Sequence, residues 1–191
     1  MKLVLVALVA GCHTSTPRPD TSGPPYLALF ERGRHWTLPI ESERRTVTCE
    51  VADVNPLGNS TVARVRCAKP YAGLLVAGTW VATPAGLYHP LLPVDDPDDL
   101  ALLGEDDLLI AARPHEREHS HVIDGAQESI EAFAFDRSWC VRDLTATAAD
   151  RRGFTLCFDA SGITGGDELV IVDGRPQRTR FGVAPPEDHE E

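Results

Sequence analysis

Between residues 34 and 183 the chain is built of short apolar runs, many alternating apolar with polar, cut by fifteen prolines and fifteen glycines spread over the whole sequence. Alternation with period two puts successive side chains on opposite faces, so these runs read as strands joined by turns. The clearest hairpin covers residues 45–68. With Cys49 opposite Cys67, Val51 falls opposite Val65 and Asp53 opposite Ala63, and the chain turns around Pro56, Leu57, Gly58 and Asn59. Val47, Cys49 and Val51 then share a face with Ala63, Val65 and Cys67, while Arg64 and Arg66 point the other way. A second hairpin sets residues 138–144 against 153–159 across the loop 145–152. Phe154, Leu156 and Phe158 share its apolar face with Trp139 and Val141, which assigns Cys140 and Cys157 to the polar face with Thr155 and Asp159.

Further strands are predicted at 34–40, 75–83, 86–89, 108–112, 130–135, 168–172 and 178–183. The alanines of 130–135 suit a helix as well. One short helix is predicted at 97–103, with Asp96 as its N-cap, Pro97 in its first turn and Gly104 as its stop. The expected fold is mainly β: an antiparallel meander sheet, half-barrel or sandwich-like, with at most one or two short helices.

The two ends differ from this pattern. Residues 1–11 carry one basic residue, Lys2, then an apolar run and small residues, which is a secretory leader and too short to span a bilayer. Val9-Ala10-Gly11-Cys12 has the form of a lipobox, which makes Cys12 the lipid-attachment residue and the mature N-terminus. Two or three acyl chains, at about 0.8 kcal/mol per buried CH₂, tether a protein almost permanently. By resemblance to the sorting rules of Gram-negative lipoproteins, His13, where an inner-membrane retention signal often places Asp, favours the outer membrane. Residues 12–25 are a Pro/Ser/Thr-rich linker that reaches roughly 40 Å when extended at about 3.1 Å per residue. A single β domain is expected over 26–184, and residues 185–191 form an acidic tail.

Composition narrows the partners. The formal net charge is −11, which excludes nucleic acid as a natural partner and leaves the membrane, reached through Cys12, as the one that the sequence names. Lys2 and Lys69 are the only lysines among 18 basic residues, a bias that reflects a GC-rich genome rather than arginine chemistry. With Cys12 lipidated, four of the five cysteines remain, an even number in an exported chain. Three pairings are open to them. The close spacing within each set favours Cys49 with Cys67 and Cys140 with Cys157, and a tetrahedral zinc site lacks the usual Cys-x-x-Cys pairs. The similar loops invite an internal duplication, which the opposite facing of the two pairs argues against.

His115-Glu116-Arg117-Glu118-His119 matches His-Glu-x-x-His, in which two histidines one helical turn apart hold zinc and the glutamate works on the metal-bound water; His121 stands close by as an extra ligand. That chemistry needs a helix. Pro114 and Gly125 leave little room for one, so a solvated loop between strands is the expected state, and no cofactor is assigned. The acidic stretches at 95–99 and 105–107 lack the alternating carboxylates and central glycine of a calcium loop and read as helix capping and solvation. No nucleophile elbow and no phosphate-binding loop occur in the sequence. Trp36, Trp80 and Trp139 lie in predicted strands among apolar neighbours and are expected in the core.

The lipobox, the stretch from Gly78-Thr79-Trp80 through Gly86-Leu87-Tyr88-His89, and Ser138-Trp139-Cys140 followed by Leu156-Cys157-Phe158 together resemble myxobacterial-type lipoproteins of GC-rich Gram-negative bacteria. The resemblance covers most of the mature chain and implies a location without an activity. The expectation is an outer-membrane-anchored envelope lipoprotein acting as a non-enzymatic binding or structural module. The alternatives are a zinc-dependent hydrolase using His115, Glu116 and His119, and a periplasmic carrier of lipid or a small apolar ligand.

Overall fold

The computed structural model describes residues 24–68, 76–90, 93–105, 107–123, 125–147, 151–172 and 175–185. The leader, Cys12, most of the linker and nearly all of the acidic tail fall outside them. Among the described residues twelve strands form one antiparallel sheet: β1 (His35–Ile40), β2 (Arg45–Leu57), β3 (Ser60–Cys67), β4 (Gly78–Ala82), β5 (Gly86–Tyr88), β6 (Leu108–Ala111), β7 (Arg117–Ile123), β8 (Ala126–Phe135), β9 (Ser138–Ala146), β10 (Arg151–Asp159), β11 (Gly162–Val172) and β12 (Arg175–Gly182). Their order is β6-β5-β4-β3-β2-β1-β12-β11-β10-β9-β8-β7, so two six-stranded meanders join where Ile40 of β1 sits opposite Phe181 of β12. The sheet is not closed into a barrel, because β6 and β7 stand at its two edges. No helix among the described residues is long and apolar enough to cross a membrane.

The sheet nevertheless rolls over on itself. Trp80 in β4 and Phe158 in β10 are six strand spacings apart in the sheet order, about 29 Å on a flat sheet. Their rings meet edge to face with centroids 5.9 Å apart. The roll lets residues of both meanders share one core on the inner face, including Trp36, Leu38, Ile40, Val47, Val51 and Val65 from the first and Val141, Leu156, Phe158, Ile163 and Phe181 from the second. All three tryptophans are buried, as expected. On the outer face a second, smaller cluster joins Val62, Val81, Tyr88 and Val94 under Leu100 and Leu103.

The first hairpin has its expected register at Cys49–Cys67 and Val51–Val65, and a disulfide joins the two cysteines. Beyond that the expectation needs a correction. A bulge at Ala52 sets Asp53 opposite Arg64 and Val54 opposite Ala63, and the chain turns in two residues, Gly58 and Asn59. The extra residue changes which side chains face inward. Val54 packs against the core and Asp53 reaches Arg32 at 3.8 Å.

In the second hairpin Cys140 pairs with Cys157, Trp139 with Phe158 and Val141 with Leu156, and the second disulfide forms. The two disulfides do face opposite ways: Cys49 belongs to the inner core, while Cys140 and Cys157 lie on the outer face with Arg142 and Thr155. That outer face is not open to water here. Both cysteines are within 1% of full burial, and Thr155 is buried beside them.

The helix α1 (Pro97–Leu100) is shorter than its predicted span. Asp96 accepts hydrogen bonds from the Asp98 and Asp99 amides, and the Asp99 carboxylate accepts from the Asp95 and Asp96 amides, a reciprocal capping box. These bonds hold the Asp99 carboxyl below its usual range. After Leu100 the chain continues in tight i→i−3 turns as far as Leu103. Residues 130–135, open to either reading, lie in β8. Residues 117–123, expected as a solvated loop, form β7, which pairs along its length with β8. Neither face of β7 offers the apolar alternation that marks a strand in sequence, and its existence rests on the ladder to β8.

Candidate functional site

The His-Glu-x-x-His segment does not form the zinc arrangement that its sequence suggests. His115 lies in the connection before β7 with its Nδ1 3.1 Å from the Arg113 carbonyl oxygen, and His119 lies inside β7. No helix runs from His115 to His119, so the two imidazoles lack the one-turn spacing that a shared zinc requires. The strand instead brings His119 and His121 to one face with ring centroids 5.4 Å apart. His121 Nε2 lies 3.1 Å from a carboxylate oxygen of Glu128, its cross-strand partner on β8. Among the described residues no three His, Cys, Asp or Glu side chains are grouped to hold a metal.

The inner face does carry a cavity that sequence reasoning missed. It holds about 440 Å³ between the segment joining β5 to β6 and strands β8 to β11. The core fills the inner face at the Trp80–Phe158 end. Further along the strands, Asp143, Thr145, Arg152 and Glu168 take the inward positions, and polar side chains leave the space open. Ile130 from β8, Leu109 from β6 and Phe154 from β10 supply apolar wall. Gly153 lies flush against β9, where a Cβ would sit 2.1 Å from the Asp143 carbonyl oxygen.

Asp143 is the unusual group of this cavity. Its direct neighbours across the ladder are Ile130 and Phe154, and among the described residues no donor hydrogen-bonds its carboxylate. Burial pushes its pKa up from 3.8 to about 6; the Glu128 carboxylate adds to the rise, and His121 opposes it. The other acids are better placed. Glu128 is paired with His121, and Asp107 accepts a hydrogen bond from the Gly104 amide at 2.9 Å.

His89 forms another part of the wall. Its ring stacks on Trp80 at 4.0 Å with planes 2° apart, and its Nδ1 lies 2.7 Å from the Thr79 carbonyl oxygen. Gly78 makes the room: a Cβ there would come within 2.9 Å of His89 Cε1. The signal was present in the Gly78–His89 stretch, but only the folded β4–β5 turn shows that its two ends meet.

A second, smaller cavity of about 250 Å³ lies on the outer face among Glu131, Arg142, Asp167 and Arg178. Its charges serve one another. Arg142 meets Glu131 at 3.4 Å and lies over the Phe133 ring, and Arg178 meets Asp167 at 3.6 Å. A cross-strand ion-pair ladder of this kind accounts for these residues without a ligand, so the inner cavity is the stronger candidate. No protein-family model, curated protein or solved structure matches this chain.

Proposed function

We propose that this chain is an envelope lipoprotein, anchored in the outer membrane by lipid on Cys12, whose β domain is a non-enzymatic binding module with its ligand seat in the inner-face cavity. The carrying observation is the cavity itself, a half-open space of about 440 Å³ bounded by strands from both meanders and lined by apolar walls and a few convergent polar groups. That volume and that mixture are typical of small-ligand sites. The linker would carry the domain up to roughly 40 Å from the lipid surface.

The alternatives fare less well. An acyl-chain carrier fits poorly with Asp143 and Glu168 facing the space, because a hydrocarbon offers a carboxylate no hydrogen bond. A zinc hydrolase fits poorly with His119 inside a strand and His115 in the connection before it, where no helix brings them one turn apart.

The test uses the full chain carrying Cys12→Ser, titrated with the neutral fluorescent probe N-phenyl-1-naphthylamine. The probe is expected to bind the parent and to lose at least tenfold in affinity on Thr145→Trp, which places an indole in the cavity. Binding that ignores Thr145→Trp, or no binding at all, would reject the cavity as a ligand seat. For the anchor, labelled palmitate should enter the native chain and not the Cys12→Ser variant.

A further inference from the structure

We infer that the ligand of the inner cavity is a small organic cation, an amine or guanidine with a short apolar body, whose charged end meets the Asp143 carboxylate while its body lies against Ile130 and Phe154. This deepens the cavity reading above and rests on it. A carboxylate flanked by apolar side chains and lacking a donor is costly to keep, and a fold without use for it would bury an amide or an apolar residue instead. A ligand ammonium supplies both the missing donors and the missing charge.

The surroundings point the same way. Asp107, Glu128, Asp143 and Glu168 line the cavity against a single guanidinium, that of Arg152, which is exposed at the rim. The field inside is therefore negative. Glu128 is engaged by His121, Asp107 by the Gly104 amide and Glu168 by an interaction of its own, which leaves Asp143 as the carboxylate open to an incoming cation. Phe154, the cross-strand partner of Asp143, offers an aromatic ring beside the same point, and a ring face favours a cation as well as an apolar body.

The experiment compares three probes of one shape on the Cys12→Ser full chain at pH 7.5 by isothermal titration: phenethylammonium, phenethyl alcohol and phenylacetate. Phenethylammonium is expected to bind at least tenfold more tightly than the alcohol, and Asp143→Asn should reduce it to the alcohol's level. A cooperative guanidinium unfolding transition of Asp143→Asn, like that of the parent, would show that this variant still folds. Equal affinity for amine and alcohol would overturn the inference and leave the cavity reading standing. Tighter binding of phenylacetate would overturn it in favour of an anion at Arg152. If none of the three binds while the naphthylamine does, the ligand class is wrong; if the naphthylamine also fails, the cavity reading falls with it.

Discussion

Replacing Asp143 with Asn should make the protein more stable at neutral pH, and by an amount that depends on pH in a defined way. Asn keeps the shape and removes the charge that burial between Ile130 and Phe154 disfavours. The folded carboxyl takes up its proton near pH 6 against 3.8 for the ordinary side chain. A difference of about two pH units at about 1.36 kcal/mol each amounts to about 3 kcal/mol between the protonated and ionised forms. That net difference already contains the opposing attraction to His121, so a gain of about 3 kcal/mol is expected above pH 7. The sign follows from the raised value. The stability associated with protonated Asp143 is complete below about pH 4 and is lost as pH rises through about 6, so the variant's advantage should be full at pH 8 and vanish near pH 4. Guanidinium unfolding of parent and variant at pH 8, 6 and 4 measures this directly. A variant destabilised equally at all three pH values would refute the account, because it would mean that the carboxylate is satisfied in the fold. A gain in stability alongside loss of phenethylammonium binding would mark Asp143 as a residue kept for function at a cost to stability.

Three further outcomes are expected. Cys140→Ser with Cys157→Ser should lower stability by about 3 kcal/mol, read as a fall in melting temperature that reductant reproduces in the parent; their separation of 17 residues sets the size of the loop released. Gly162→Ala should cost about 1–3 kcal/mol by overpacking and shift the tryptophan fluorescence, since the new Cβ would fall 2.0 Å from Trp36 Nε1 and displace the bond from that nitrogen to the Ser161 carbonyl oxygen. His115→Ala with His119→Ala should leave zinc content, measured by plasma mass spectrometry, unchanged from a sub-stoichiometric parent, and a stoichiometric zinc lost in the variant would restore the hydrolase reading.

Much of the fold was written locally. The register of both cysteine hairpins followed from period two, because Cys49, Val51, Val65 and Cys67, and Trp139, Val141, Leu156 and Phe158, each meet across adjacent strands. The capping of α1 was equally local, since Asp96 and Asp99 bond to amides within one turn. Local pattern failed where its signal was absent or was interrupted. No apolar alternation marks β7, and the bulge at Ala52 shifts the pairing by one without any composition that announces it.

The candidate site was the least legible part, for a related reason. That Asp143 would be an unpartnered carboxylate depends on β8 and β10 placing Ile130 and Phe154 beside it, and on the β5–β6 segment bringing His89 and Asp107 to the far wall. By itself the sequence determined a β meander, its two disulfide hairpins and its negative charge, because alternation, cysteine spacing and charge are properties of neighbouring residues. Tertiary structure alone decided that the sheet rolls until Trp80 reaches Phe158, and that polar inward positions stay open beyond that contact. Both follow from packing between strands six spacings apart, whose meeting no local pattern encodes.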